Sequence, residues 1–380
     1  MAVFDYLSIA AAIWWCLAVL VFCICLCASL IQPFVQKRRA TNDTMPPVSV
    51  IVPIKLLDPG FDRAQSSIFA QNYPDYEILI SAAEETSPAL DAAQNIARAN
   101  PAVPCRILHS DSTFAVSPKL NNLTRPLEEA AHDFVFTKDS NITLEPDTMR
   151  EFLRNFAPGV GLVVAVPVAV RPQGLAGQIE AFLINGHARL LLTASVLGAG
   201  FGVGKVMVFR RSDLAKAGGI EAISHSLAED SAISKGLGAI GLKTVFAHRT
   251  VAQEIGARGF REIYERQARW AVIRHKEEPF SFPLEPLSSP LPAALAAVLA
   301  APLIGVSGGF GFVMTLTGWF CAEIACAYLK KWEVSIWSPL AFLGREILSL
   351  VAWLRAWTTH DVVWAKGRFD AREGARGGDR

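Results

Sequence analysis

The sequence predicts an α/β domain with a parallel sheet, carried between apolar membrane segments. Three observations predict it. An uncharged apolar run lies near the amino terminus, strand-like and helix-like segments alternate through a polar middle, and apolar runs return after residue 286. The chain has 380 residues, of which 52% are hydrophobic. Its mean hydropathy of +0.31 is high for a water-soluble domain, yet the middle carries ordinary charge. A net charge of +1 gives no footing for nucleic acid.

Tyr6 to Ile31 is free of charge and long enough to cross the roughly 30 Å hydrocarbon core as a helix. A signal peptide fits less well, because the run is too long and Asp5 is the only charged side chain before it. Lys37, Arg38 and Arg39 follow, which places this end in the cytoplasm by the positive-inside rule.

Residues 46–285 read as the water-facing domain. Val48–Pro53, Tyr76–Ser81, Arg106–Leu108 and Phe134–Thr137 are short β-rich runs. Helical stretches fall between them at Asp62–Gln71, Pro88–Asn100 and Lys119–Ala131. Such alternation predicts parallel strands with crossover helices. Ligands of these sheets bind at the carboxyl ends of the strands, here marked by Lys55, Glu84-Glu85 and Asp139. Neither a Gly-x-Gly-x-x-Gly turn after the first strand nor a Gly-x-x-x-x-Gly-Lys-Ser/Thr loop is present, which argues against a dinucleotide site or a P-loop.

Beyond the Pro-rich stretch 280–292, Leu291–Ile304 and Gly311–Leu329 read as a helical hairpin returning at Lys330-Lys331. Trp337–Trp357 is apolar but contains Arg345, Glu346 and Arg355, so a third span and an interfacial helix both remain open. The basic tail of Lys366, Arg368, Arg372, Arg376 and Arg380 favours the interfacial alternative. The domains are therefore 1–45 (anchor and basic flank), 46–285 (cytosolic domain) and 286–380 (membrane helices and tail). The seven cysteines have no metal-ligand spacing and read as small apolar residues.

Individual residues leave alternatives open. Asp139, in FVFTKDSNI, is either a turn former or a ligand for Mg²⁺ or Mn²⁺ bound to a diphosphate. Asn141 offers a neutral oxygen in place of a second carboxylate. Asp230, in SLAED, is either a helix N-cap or a base that deprotonates a hydroxyl. Arg266 and Arg269 form a basic face beside the membrane, or Arg269 is a fork donor to diphosphate. Trp270 either packs on a sugar or anchors at the interface. His187 suits a structural role or a site role, and Lys119, after Pro118, either attracts a phosphate or faces solvent.

Taken in order, these motifs resemble the ceramide glucosyltransferase family, inverting glycosyltransferases of family 21, across roughly residues 1–330. SPKLNNL at 117–123, with Lys119 and Asn121, is similar to that family's N/S-P-K-x-N-N-L. KDS carries Asp139 where the family has its second aspartate, also without a complete Asp-x-Asp. AED carries Asp230 at the third. RQARW supplies Arg266, Arg269 and Trp270 in the (Gln/Arg)-x-x-Arg-Trp pattern, and GHARLLL supplies His187. Glu84, in AAEETSP, departs from the family's first aspartate and reaches from a longer arm.

The resemblance implies a GT-A (nucleotide-diphospho-sugar transferase) domain with one amino-terminal transmembrane helix and a carboxy-terminal membrane-embedded helical cluster. It implies a UDP-hexose donor, ceramide or a similar lipid as acceptor, and a divalent cation held through Asp139. Asp230 is implied as the base, with Glu84, Lys119, Asp139, Arg269 and Trp270 at the donor and Lys55, Asn121, His187 and Arg266 nearby. It also implies a bacterial member in the inner membrane, multi-pass, with its catalytic domain facing the cytoplasm. Alternatives are a hopanoid, diacylglycerol or polyprenyl-phosphate acceptor, or an inactive tethered sugar-nucleotide-binding protein.

Overall fold

The computed structural model describes residues 2–39, 42–359, 361–364 and 367–370. Lys366, Arg372, Arg376 and Arg380 of the basic tail lie outside the described residues. The chain opens with helix α1 (Ala2–Arg39) and then alternates β1 (Val48–Ile54), α2 (Phe61–Phe69), β2 (Tyr76–Ala82), α3 (Pro88–Ala99), β3 (Cys105–His109), α4 (Pro118–Glu129) and β4 (Phe134–Lys138). There follow β5 (Ile142–Thr143), α5 (Thr148–Leu153), β6 (Val160–Gln173), α6 (Gly174–Leu197), β7 (Val206–Arg210), α7 (Arg211–Lys216), α8 (Glu229–Ala239) and β8 (Lys243–Ala257). The remaining helices are α9 (Phe260–Glu277), α10 (Pro290–Ala300), α11 (Gly308–Lys330) and α12 (Ser338–Ala356). A short antiparallel pair, β9 (Asp361–Trp364) and β10 (Gly367–Asp370), comes last.

The fold divides into two compact units. Among the described residues, one contains Ile31–Pro172 and Ala194–Ala257; the other contains the chain up to Leu30, Gln173–Thr193 and the chain from Arg258 to Asp370.

The first unit holds an eight-stranded sheet in the order β3-β2-β1-β4-β7-β6-β8-β5. The predicted parallel arrangement holds for β1 with β2 and β4, and for β2 with β3. It fails beyond β4: β7 runs antiparallel to both β4 and β6, and β5 runs antiparallel to β8. The sheet is therefore mixed. Val50, Val52, Ile78, Ile80, Phe136, Val163 and Val208 are fully buried in its core. Each contributes about 1.5–3 kcal/mol by leaving water. The register pairs Ile54 with Ala82 and Ile51 with Thr137. Lys55, Glu84 and Asp139 accordingly emerge from the same sheet edge.

The second unit is helical. Two helices among the described residues, Phe4–Arg39 and Gly308–Lys330, are long and apolar enough to cross a membrane. The predicted hairpin is irregular on its first arm. Phe282–Ser288 and Pro290–Ile304 meet at a 71° bend and count as a third span only if taken as one. The 11-residue α10 rises only about 16 Å and cannot cross alone. Ala18, Phe22, Ala293, Trp319 and Phe342 pack these helices together. Ionised groups in this apolar packing are paired. Glu323 accepts from Arg189 at 2.5 Å and from Arg345 at 2.8 Å, and Arg345 also donates to Glu346 at 2.7 Å. Glu346 in turn receives Ser289 Oγ and the Leu291 N–H at the start of α10. Arg345 and Glu346, which left the nature of Trp337–Trp357 open, are both buried in α12.

Candidate active site

SPKLNNL folds as one device. Ser117 caps α4 by accepting from the Leu120 N–H, and Pro118 fills the first turn, where no N–H is needed. Leu120 and Leu123 enter the core. Asn122 donates to the Ile54 carbonyl at 3.1 Å, tying the helix to the end of β1. Asn121 closes the preceding loop on itself: its Oδ1 accepts from Ala115 N and its Nδ2 donates to Ala115 O, both at 2.8 Å. Asn121 thus clamps the loop that leads into α4.

Lys119 is left pointing along the sheet edge. Its ammonium donates to Asp139 Oδ1 at 2.7 Å, to Glu229 Oε1 at 2.9 Å and to the Gly204 carbonyl at 2.8 Å. Lys205 donates to the other Asp139 oxygen, Oδ2, at 2.8 Å. The β4–β7 register, which pairs Lys138 with Val206, brings Lys205 there, and the Asp139 N–H bonds the Lys205 carbonyl at 3.0 Å.

Asp230 completes the cluster. It is not the N-cap: α8 begins at Glu229 with Ala228 at the cap position and no side-chain cap bond. Asp230 Oδ2 instead accepts from the Gly204 N–H at 2.6 Å, and Oδ1 accepts from the Ser231 N–H at 2.9 Å. Glu229 is buried, whereas Asp230 keeps some contact with solvent.

The electrostatics follow from this geometry. Burial alone would raise the Asp139 carboxyl, but Lys119 and Lys205 outweigh it and hold the group at about 2. Burial would weaken the Lys119 ammonium, yet Asp139 and Glu229 drive its pKa above the ordinary lysine value. Glu229 moves the other way, raised by burial and by Asp230 against the pull of Lys119. Behind the cluster, burial lowers Lys138 to about 7 despite Asp139, and its Nζ donates to the Ala64 and Ile142 carbonyls at 2.9 and 2.7 Å.

Glycine makes the close approach possible. A Cβ at Gly204 would lie 3.1 Å from Asp230 Oδ2, 3.2 Å from Glu229 Oε1 and 3.3 Å from Lys119 Nζ. A Cβ at Gly202 would lie 1.9 Å from the Asp230 carbonyl oxygen. Gly204→Ala is expected to leave the fold intact and to lower turnover by about tenfold, as a displaced carboxylate does. Steady-state kinetics beside a thermal melt would check this; unchanged turnover would contradict the tight packing.

Of the other predicted residues, Lys55 and Glu84 are exposed at the same sheet edge. Asn141 is buried, and its carbonyl accepts from the Glu254 N–H at 2.9 Å. Four more, His187, Arg266, Arg269 and Trp270, belong to the helical unit. The segment RQARW lies inside α9, one helix from Phe260 to Glu277. Arg266 is committed to the buried Glu180 at 2.6 Å, which Arg258 approaches at 3.3 Å. Burial and the neighbouring Arg266 pull Arg269 down to about 10, so it stays cationic at neutral pH.

Burial and Arg274 push His187 down to about 4, so it is neutral at pH 7, with Nδ1–H donating to the Leu183 carbonyl at 3.1 Å. The unfolded imidazole takes its proton near pH 6.5, the folded one only near 4. Stability present at neutral pH is therefore lost as pH falls through that window, by about 2 kcal/mol once partial solvent screening is counted. Melting curves between pH 7 and 4 should fall more steeply for wild type than for His187→Gln; parallel curves would contradict this.

The cluster contains residues that no local pattern announces. Lys205 and Gly204 reach the site through strand pairing, and Glu229 serves Lys119 rather than a ligand. Only the GVGK spacing ahead of a strand hinted at a tight loop.

An apolar-anchored unit with a mixed α/β sheet, and a charged cluster at the edge where its parallel strands end, defines a GT-A-type protein. The structure of the mannosyltransferase PcManGT from Pyrobaculum calidifontis, in complex with GDP-Man and Mn2+, has the same fold, with a TM-score of 0.51 at 18% identity over 90% of this chain and 99% of that one. The chain belongs to glycosyl transferase family 21, whose profile it matches over residues 13–377. Ceramide glucosyltransferase 1 of Caenorhabditis elegans is 24% identical over 343 residues, 88% of this chain and 74% of the relative. A ceramide glucosyltransferase of Komagataella phaffii is 30% identical over 236 residues, 55% of this chain and 46% of the relative.

Proposed function

We propose that this family 21 protein transfers a hexose from a UDP-sugar to the primary hydroxyl of ceramide, with inversion. One observation carries the reading: Asp230 stands fixed and partly solvent-facing beside the Lys119–Asp139 pair, at the edge where the parallel strands end. The relatives named ceramide glucosyltransferase support the acceptor.

Asp230 is the base in this reading. Two N–H groups set its orientation, and its oxygens remain the cluster's carboxylate open to an incoming hydroxyl. Glu229, spent on Lys119, does not compete for that role. Lys119 and Lys205 supply positive charge where the diphosphate gathers negative charge on leaving.

A divalent cation fits at Asp139. Among the described residues no group of three or more His, Cys, Asp or Glu could hold one on protein ligands alone. A hard cation that takes one carboxylate, with phosphates and water for the rest, suits a lone aspartate. Bound there, it would neutralise the diphosphate. The Mn2+ in the mannosyltransferase of like fold agrees with that proposal. The donor roles of Glu84, Arg269 and Trp270, and the neighbouring roles of Lys55, His187 and Arg266, rest on the sequence motifs.

We assign catalysis to residues 46–285 and membrane attachment to 1–45 and 286–380. Lys37, Arg38 and Arg39 at the end of α1 favour a cytoplasmic sheet unit, where sugar nucleotides are made. The test is incubation with labelled UDP-glucose, UDP-galactose and UDP-glucuronate, plus ceramide or diacylglycerol, followed by lipid extraction. Label is expected in ceramide from one of the donors. Label in diacylglycerol alone would change the acceptor, and none in any lipid would overturn the assignment.

A further inference from the structure

The end of α1, from Ile31 to Arg39, belongs to the sheet unit. Gln32 and Gln36, one turn apart on one helix face, are both buried. Gln32 Nε2 donates to the Ala247 carbonyl at 3.1 Å, and Gln36 Nε2 donates to the Ser195 carbonyl at 2.7 Å. Arg39 Nη1 donates to the same Ser195 carbonyl at 3.3 Å. Past the helix, the Asn42 N–H donates to the Arg154 carbonyl at 3.0 Å, and Asn42 Nδ2 to the Phe156 carbonyl at 3.1 Å. These bonds hold Arg154, just after α5, and Arg249, in β8, beside the basic end of α1.

Lys37, Arg38 and Arg39 alone need no partner, because the positive-inside rule accounts for them. Arg154 and Arg249 extend the patch from distant parts of the chain. Their side chains are 37% and 46% exposed, so a ligand at the surface can reach both. Among the described residues, the carboxylates that pair with these five groups are Asp43, 3.3 Å from Arg154, and Glu151, 3.8 Å from Arg249. Glu151 also meets His248 at 3.3 Å. Burial lowers the His248 pKa against the pull of Glu151, and Arg249, Lys37 and Arg154 push the same way. Those three cations therefore surround one ring, which itself adds no charge at neutral pH.

Place decides what such a patch meets. The uncharged run ends at Ile31, and the helix rises only about 9 Å from there to Lys37. Headgroup charge decays over about 8–10 Å, so it is felt at the patch.

We propose that Lys37, Arg38, Arg39, Arg154 and Arg249 form a binding surface for the headgroups of acidic phospholipids where α1 leaves the bilayer. The guanidinium groups of Arg154 and Arg249 supply fork donors to a headgroup phosphate. This rests on the membrane attachment assigned above and adds the class of lipid that the attachment selects.

The test is the association of spin-labelled phosphatidylglycerol and phosphatidylcholine with the full chain in phosphatidylcholine vesicles, read from the motionally restricted part of the paramagnetic resonance. Wild type is expected to prefer phosphatidylglycerol by about fivefold or more, the factor that one basic side chain near the surface supplies. Arg154→Gln/Arg249→Gln should lose most of that preference while its thermal melt stays close to wild type. Arg154→Lys/Arg249→Lys, which keeps the charges, should retain most of it. Equal association of the two lipids with wild type overturns the inference without any variant and leaves the membrane anchor standing. A preference that survives Arg154→Gln/Arg249→Gln overturns it as well. A chain that stays dissolved without detergent or lipid sinks the membrane reading, and this inference with it.

Discussion

Asp230→Asn is expected to cut transfer by about a hundredfold or more while UDP-sugar binding stays close to wild type. General-base catalysis contributes roughly 10²–10⁴-fold, and an amide cannot accept the hydroxyl proton. The amide is nearly the same size, and its oxygen can still accept from the Gly204 N–H now held at 2.6 Å. Binding and chemistry should therefore separate. Turnover measured beside calorimetric titration with UDP checks this. A variant that keeps most of its turnover would remove Asp230 from the chemistry; loss of binding in equal measure would recast it as a donor contact.

Asp139→Ala should have the second large effect, and it should appear in stability as well as in binding. The substitution removes the shared acceptor of two ammonium groups at 2.7 and 2.8 Å. Lys119 would keep Glu229 and the Gly204 carbonyl, but both ammonium groups would lose a carboxylate partner in a largely enclosed place. Breaking such a pair from one side costs about 3 kcal/mol. Cation-dependent UDP binding should vanish at the same time. Asp139→Asn should recover part of the stability through hydrogen bonding without recovering the cation dependence. Denaturant unfolding and UDP titration with Mn²⁺ would check both halves, and unchanged stability would show that the lysines are indifferent to Asp139.

The early strands were legible because each is a short apolar run closed by polar residues. The first four, with the helices between them, lie within a residue or two of where the pattern puts them. The later sheet was not. β6 and β8 are long runs of 14 and 15 residues without clean alternation, which periodicity cannot tell from a buried helix. Their antiparallel neighbours depend on long-range pairing. The same limit governs the site. Ser117, Lys119, Asp139 and Asp230 stand out because they sit at element boundaries. Lys205 does not, because its place opposite Asp139 comes from the β4–β7 register.

The polar residues of the apolar regions were half legible. Arg345 and Glu346 were visible as charges inside an apolar run, but their partners, Glu323 in α11 and Ser289 just before α10, lie elsewhere in the chain. No spacing connects those positions. Arg266, legible as part of the RQARW motif, pairs with the buried Glu180, which no spacing announces.

The most direct test of the central claim is the anomeric configuration of the sugar in the lipid formed from a UDP-α-hexose, read by proton resonance of the purified product. A single displacement driven by Asp230 predicts a β-linked glycolipid. An α-linked product would contradict it, as would a hexose released to water with none on lipid.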